Sequence, residues 1–276
     1  MTKKKRTIVG SPLTPVLLEE LGALAEFPLS PEDFNPKGNW VNTYRIWTCH
    51  GYRESGNQNV GLSRIERLAG KSLESFTLKV HQEVVEVDGM LNVLDAEIQC
   101  LNNQLASPTL WYLSSRFIKG DDKPLGKLGT EEQVSVNKNI MTIQTAIQTS
   151  KRKVPSELSC DWCLFEAVQR LAFDEKSSLV FAMLEGLSLL KEDQRLSYRG
   201  AYPMKIATKD LPLHRFDQLG CGILPYEYWL DDNHRLLAAI TMNKAYILDE
   251  QAERLIRQRT DQLRRSYKTV KGARRK

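Results

Sequence analysis

Residues 84–93 read VVEVDGMLNV, so Asp88-Gly89 separates two short runs of mostly apolar residues. An Asp-Gly pair in this setting favours a tight turn, because such turns need positive φ values at their central residues. The segment predicts a β-hairpin. The fold class then depends on whether an alternating pattern continues on both sides of it.

Alternation of apolar and polar residues does continue, from about residue 40 to residue 150. Tyr44 and Ile46 share one parity, and Phe76, Leu78 and Val80 repeat the pattern further along. A period of two is typical of strands that bury one face. This half of the chain therefore predicts a meander of long antiparallel strands.

The second strand of the hairpin changes parity. Leu91 and Val93 fall on one face, whereas Leu94, Ala96 and Ile98 fall on the other. One extra residue in a strand reverses the faces of all the residues after it. The sequence predicts a β-bulge near Leu94.

Helical spacing appears in three places. Leu164, Phe165 and Val168 lie on one stripe of a predicted helix over residues 160–172, and further helices are predicted over residues 13–27 and from Asp249 to about Lys268. After the helix over residues 160–172, the period of two returns and continues up to Leu248. One helix therefore interrupts a sheet, and other helices stand near the chain ends.

These elements predict a mainly β (α+β) protein: a strongly curved antiparallel sheet or half-barrel with one embedded helix and terminal helices. Residues 1–39 are predicted to form an N-terminal helix and a proline-rich linker, residues 40–250 the curved β domain with the inserted helix 160–172, and residues 251–276 a basic helix and tail. The hydrophobic content of 41% supports a packed core.

Charge is concentrated at the ends of the chain. The formal charge is +5, but residues 3–6 carry +4 and residues 251–276 carry ten Lys and Arg against two acids, which leaves about −7 for the body. The basic tail holds a single aromatic residue, Tyr267, so nucleic acid is an unlikely partner. No stretch approaches the ~20 apolar residues of a transmembrane helix.

The location predicted by the sequence as it stands is cytoplasmic, because Ser11, Pro12 and Pro15 interrupt the apolar run that an export signal needs. An exported, periplasmic protein whose leader has been removed is the alternative. Five cysteines, without the spacing of a disulfide scaffold, suit a reducing compartment.

Motifs for catalysis and cofactors are not found, so neither a cofactor nor a metal is predicted. Cys160 and Cys163 form a Cys-x-x-Cys before a predicted helix, where a thiolate would be favoured, but the charged segment before them is unlike that of thiol-exchange proteins. A hydrolase also stays an alternative, because a pair of dispersed carboxylates, such as Glu97 with Asp161, could act together as catalytic acid and base.

The terminal strands carry a resemblance. Tyr228-Trp229-Leu230-Asp231, His234-Arg235-Leu236-Leu237 and Ala245-Tyr246-Ile247-Leu248 resemble the closing strands of half-barrel envelope proteins related to outer-membrane lipoprotein carriers. That resemblance implies a curved sheet wrapped around helices, and an apolar groove in which several of those proteins hold acyl chains.

The function predicted from this reasoning is non-enzymatic binding of a lipid-like or other apolar ligand between the sheet and the helix. The candidate ligand-binding residues are Trp111, Phe117, Phe165 and Trp229. The alternatives are a scaffold that docks a protein partner through its terminal helices and, third, a hydrolase or thiol enzyme.

Overall fold

The computed structural model describes residues 33–48, 58–86, 88–119, 124–206 and 209–273. Within these ranges fifteen strands build one sheet, and two helices accompany it. The helix predicted over residues 13–27 lies outside the described residues. The strands are β1 Trp40–Thr48, β2 Gln58–Ala69, β3 Ser75–Val85, β4 Leu91–Leu101, β5 Pro108–Ile118, β6 Pro124–Asn137, β7 Ile140–Thr145, β8 Thr149–Lys153, β9 Leu158–Cys160, β10 Ser178–Glu185, β11 Leu189–Ile206, β12 Lys209–Gly220, β13 Tyr226–Leu230, β14 Leu236–Thr241 and β15 Lys244–Leu248.

The sheet is a meander whose two halves meet at β1. On one side of β1 the strands run in order from β2 to β8 at one edge of the sheet. On its other side they run in reverse order, from β15 to β9 at the other edge. Tyr44 of β1 pairs with Leu248 of β15, so the first described strand lies beside the last. Every neighbouring pair is antiparallel except β9 with β10. The predicted antiparallel, mainly β architecture is confirmed.

Curvature is required by one short connection. β8 and β9 are the two edges of the sheet, yet only residues 154–157 join them. Five residue steps reach at most roughly 18 Å, so the two edges must come back towards each other. Ser159 of β9 donates its hydroxyl to the carbonyl of Leu105 before β5, at 2.8 Å. The sheet therefore curls into an open, barrel-like form, as the sequence predicts.

Helix α1, Asp161–Ala167, joins the parallel strands β9 and β10. A parallel pair needs a crossover connection, and here the crossover runs on the concave side of the sheet. All its residues after Asp161 are buried. The helix is shorter than the predicted 160–172, because Gln169 and Arg170 donate to carbonyls three residues back, which tightens the chain into a turn.

The main core fills the space between α1 and the concave face of the sheet. Its large, fully buried side chains include Tyr44 of β1 itself, Trp111 of β5 on one side of β1 and Tyr228 of β13 on the other. Strands on both sides of the helix thus share one continuous apolar interior.

Helix α2, Ala252–Ala273, packs on the convex face of the sheet. Its Ala252 and Ile256 form a small apolar cluster with Leu62, Val85 and Leu91.

Because α2 covers the convex face, the parity change in β4 needs no bulge near Leu94. Leu91 faces α2, and Leu94, Ala96 and Ile98 face the main core, while β3 and β4 keep one register from residue 91 to residue 101. The register shift of β4 lies between Gln99 and Cys100, on the β5 side.

The predicted hairpin of residues 84–93 is present with a longer connection. Val85 pairs with Leu91, and Glu86 donates its N–H to the carbonyl of Met90 at 2.8 Å. Gly89 has φ of +80°, and a Cβ there would lie 2.5 Å from the side chain of Arg264 in α2. Glycine is required for both reasons.

Neither described helix combines the length and apolar character that crossing a bilayer requires.

Candidate functional site

A cavity of about 260 Å³ lies between α1 and the concave face of strands β10 and β12 to β15. Aromatic rings and polar groups line it together. It occupies the region between sheet and helix in which the sequence predicts a binding groove. We take it as the candidate site because concave clefts lined by apolar and aromatic side chains with a few polar groups are typical of small-molecule sites.

The first turn of α1 fixes one wall of the cavity. Cys160 ends β9 and caps the helix, since its sulfur accepts the N–H of Cys163 at 3.2 Å. Asp161 follows, and its Oδ2 accepts the N–H of Gly186 at 2.9 Å. Gly186 has φ of +58° in the turn between β10 and β11. The Asp161 carboxylate is thus held between the helix and that turn.

Two strands supply the tyrosines of the site. Tyr226 and Tyr228 alternate along β13, so both project to the concave face, and Tyr246 of β15 joins them. The rings of Tyr226 and Tyr228 stack with centroids 5.7 Å apart. A wall of phenol rings results from simple strand periodicity.

Phe165 holds the tyrosines in place from the helix side. Its ring meets those of Tyr44, Tyr228 and Tyr246 edge to face, at centroid distances of 5.3, 6.1 and 5.2 Å. Edge-to-face pairs add roughly 0.5–1.5 kcal/mol each beyond area burial. The aromatic wall is therefore rigid, and its shape exists before a ligand arrives.

Polar groups interrupt this aromatic lining. Tyr228 donates its hydroxyl to Gln218 Oε1 at 2.8 Å, which satisfies both groups. Two other lining residues have unsatisfied polar atoms. Asp161 Oδ1 and Thr241 Oγ1 are buried and have no hydrogen-bond partner among the described residues. A buried polar atom without a partner costs roughly 1–3 kcal/mol, so such atoms call for an explanation.

Burial governs the electrostatics of the site. It raises the pKa of Asp161 to about 6, with help from Glu185, whereas the Gly186 N–H and the Lys244 ammonium act in the opposite direction. Burial also raises the pKa values of Tyr226 and Tyr228 well above the usual value. At neutral pH the tyrosines are therefore neutral, and Asp161 carries a negative charge.

Comparison with known proteins identifies the fold and no more. No family model and no curated protein matches the chain. Among solved structures it is similar to the crystal structure of a beta-barrel-like protein of domain of unknown function DUF1849 from Brucella abortus, at a TM-score of 0.50 and 9% identity, covering 76% of this chain and 95% of that one. The likeness agrees with the barrel-like sheet.

The four residues predicted to bind a ligand do not meet at one place. Phe165 lines the cavity. Trp111 is buried in the main core, and Phe117 is half-buried near the end of β5. Trp229 is also buried, but its parity in β13 is opposite to that of the cavity tyrosines, and its ring packs against Tyr202 and Arg215.

Sequence reasoning left out most of the residues that line the cavity. Tyr226 and Tyr228 are alternate residues of a predicted strand, which signals a shared face but not which ligand-sized space that face borders. Asp161 appears in the sequence only as one of several dispersed carboxylates. Its position against Tyr246 depends on the pairing of β15 with β1 and on the crossover through α1.

The cysteines of the Cys-x-x-Cys lie behind the cavity wall. The Cys160 and Cys163 sulfurs are 2.8 Å apart, and Cys100 of β4 lies 3.8 Å from Cys163. Burial raises the pKa of all three thiols. Burial thus opposes the thiolate that redox chemistry needs. Among the described residues no group of His, Cys, Asp and Glu is arranged to hold a metal ion.

Proposed function

We propose that this chain is a non-enzymatic binding protein that holds a small, largely apolar molecule in the cavity between α1 and the sheet. The observation that carries the proposal is the pre-formed, partly aromatic cavity, in which Asp161 Oδ1 and Thr241 Oγ1 are buried and have no hydrogen-bond partner in the part of the chain that the structure describes. A ligand with an apolar body and one polar group would match both features.

The aromatic lining supports the apolar part of the ligand. Phe165, Tyr226 and Tyr246 present ring surface that a bound apolar body would remove from water, at roughly 25 cal/mol per Å². Because Phe165 packs edge to face on Tyr246 and Tyr226 stacks on Tyr228, these rings are already fixed, and little conformational entropy would be lost on binding.

The cavity volume limits the ligand. About 260 Å³ is slightly below the roughly 300–1,000 Å³ of sites for drug-sized molecules. A short acyl chain or one end of a lipid-like molecule would fit, with the rest outside the mouth. Such a ligand is of the class that the resemblance to half-barrel envelope proteins related to outer-membrane lipoprotein carriers implies.

The test is a titration with N-phenyl-1-naphthylamine, a neutral apolar probe that fluoresces when it leaves water. We expect saturable binding to the full chain. The variant Asn243→Trp places a bulky ring at the exposed mouth of the cavity, and we expect it to weaken binding by about tenfold or more, equivalent to roughly 1.4 kcal/mol.

The matched control is Met242→Trp, because Met242 is the adjacent residue of the same turn, is 68% exposed and does not line the cavity. It should bind the probe as the unsubstituted protein does. Equal losses in both variants, or the absence of saturable binding by the unsubstituted protein, would show that the cavity is not the site.

A further inference from the structure

A carboxylate without an ion pair among the described residues lines the cavity. Three charged side chains line it: Asp161, Glu185 and Lys244. Glu185 is matched, since Lys191 Nζ lies 3.5 Å from its Oε2. Among the described residues Asp161 has no ion pair, and its only side-chain hydrogen bond comes from the Gly186 N–H to Oδ2. The cavity therefore holds a carboxylate that is not ion-paired among the described residues, although Lys244 lines the same cavity.

The rings around Asp161 are suited to a cation as well. The face of a tyrosine ring attracts an ammonium group through its quadrupole. Lys244 already uses this attraction, because its Nζ lies 5.7 Å from the ring centroid of Tyr246. The Lys244 side chain is exposed and flexible, so a ligand could displace it from that ring.

We infer that the polar group of the ligand is an organic cation, an ammonium carried on a small apolar body, seated between Asp161 and the tyrosine rings of β13 and β15. The inference rests on the proposed function and names its ligand class. A neutral ligand would bury Asp161 further without compensating its charge, and an anion would be repelled by it.

The experiment uses three molecules of nearly the same shape and different charge: choline, the neutral 3,3-dimethylbutan-1-ol and the anion 3,3-dimethylbutanoate. Their affinities for the full chain are measured by isothermal titration calorimetry. We expect choline to bind about tenfold or more tightly than the alcohol, and the anion to bind more weakly than either.

Two variants test the residues. Asp161→Asn should remove the preference for choline, while Asp193→Asn, an exposed carboxylate on β11, should keep it. Lys244→Met removes the competing cation and should tighten choline binding several-fold, which misfolding would not do. Its control is Lys176→Met, at an exposed position away from the cavity.

The results separate the two proposals. Equal affinities for the three molecules, or a preference for the alcohol or the anion, would overturn the cation inference even if N-phenyl-1-naphthylamine still binds, and the proposed function would then stand. If neither the naphthylamine nor choline binds, both proposals fail. A gain in Lys244→Met together with a loss in Asp161→Asn would support the inference.

Discussion

Arg67 of β2 donates its Nε–H to Glu166 Oε1 of α1 at 2.8 Å, and the two side chains are 2% and 0% exposed. Arg170 completes the arrangement by donating to both oxygens of the same carboxylate, at 2.5 and 2.8 Å. One buried acid thus serves two arginines. It fastens the embedded helix to the concave face of the sheet, because each partner would otherwise be a buried, uncompensated charge.

Replacing this acid should be costly. We expect Glu166→Gln to lower the free energy of unfolding by about 3–5 kcal/mol, because two buried guanidinium groups lose their counter-charge. Urea denaturation monitored by circular dichroism gives the value. Glu66→Gln is the control, since Glu66 pairs with Arg64 near the surface and should change stability by less than about 1 kcal/mol. Similar losses in both variants would contradict the buried role of Glu166.

The buried thiols should be unreactive in the folded protein. Cys100, Cys160 and Cys163 are at most 1% exposed, and burial raises their pKa values, whereas Cys221 is exposed. In a Cys49→Ser background, we expect a thiol reagent such as DTNB to modify one cysteine at once and three more only after denaturant is added. Prompt reaction of all four would show that α1 opens readily and would favour the thiol-enzyme hypothesis.

His234 in its aromatic stack should make stability depend on pH. Phe173 lies between His214 and His234, at centroid distances of 3.6 and 3.9 Å with nearly parallel planes. Burial, aided by the neighbouring His214, lowers the pKa of His234. The folded protein therefore prefers neutral His234, and this contribution is lost as pH falls from about 6.5 through the lowered pKa.

His234→Asn is the variant that isolates this effect, because asparagine tolerates the φ of +63° at that position. Between pH 7.5 and 5.0 the unsubstituted protein should lose more stability than the variant, by roughly 1 kcal/mol or less since the ring is partly exposed. An equal loss in the two proteins would mean that His234 does not titrate in the stack.

His81 should titrate in the opposite direction. Hydrogen bonding to Glu83 raises its pKa, Asp95 acts in the same sense, and partial burial opposes both. The Nδ1 atom of His81 lies 2.7 Å from Asp95 Oδ1. Its contribution to stability is complete below about pH 6.5 and is lost as pH rises through the raised pKa. In an NMR titration, the midpoint of His81 should lie above 6.5 and that of His234 below it.

Much of the secondary structure follows from local pattern. The strands expected at residues 226–230, 235–240 and 245–248 are observed at Tyr226–Leu230, Leu236–Thr241 and Lys244–Leu248. Alternation identifies such strands because successive side chains must point to opposite faces of a sheet. The same rule led to the wrong prediction of a bulge near Leu94. It assumes that only one face of the sheet is covered, whereas α2 covers the second face at β4.

The candidate site was less accessible to prediction. Phe165 could be named because aromatic residues on a predicted inner helix must pack against the sheet. Trp111 and Trp229 share its residue class, but both are buried in the main core, and Trp229 has the opposite parity in β13 to the cavity tyrosines. Composition does not distinguish an aromatic side chain that fills a core from one that borders a cavity.

The sequence by itself determined most of the strands and the embedded helix, because each follows from the period of apolar residues along a few neighbouring positions. Only the tertiary structure decided that β15 lies beside β1 and that Asp161, without an ion pair among the described residues, lines a cavity with tyrosines from β13 and β15. Those contacts join residues far apart in the chain. No local period records which of them will become neighbours.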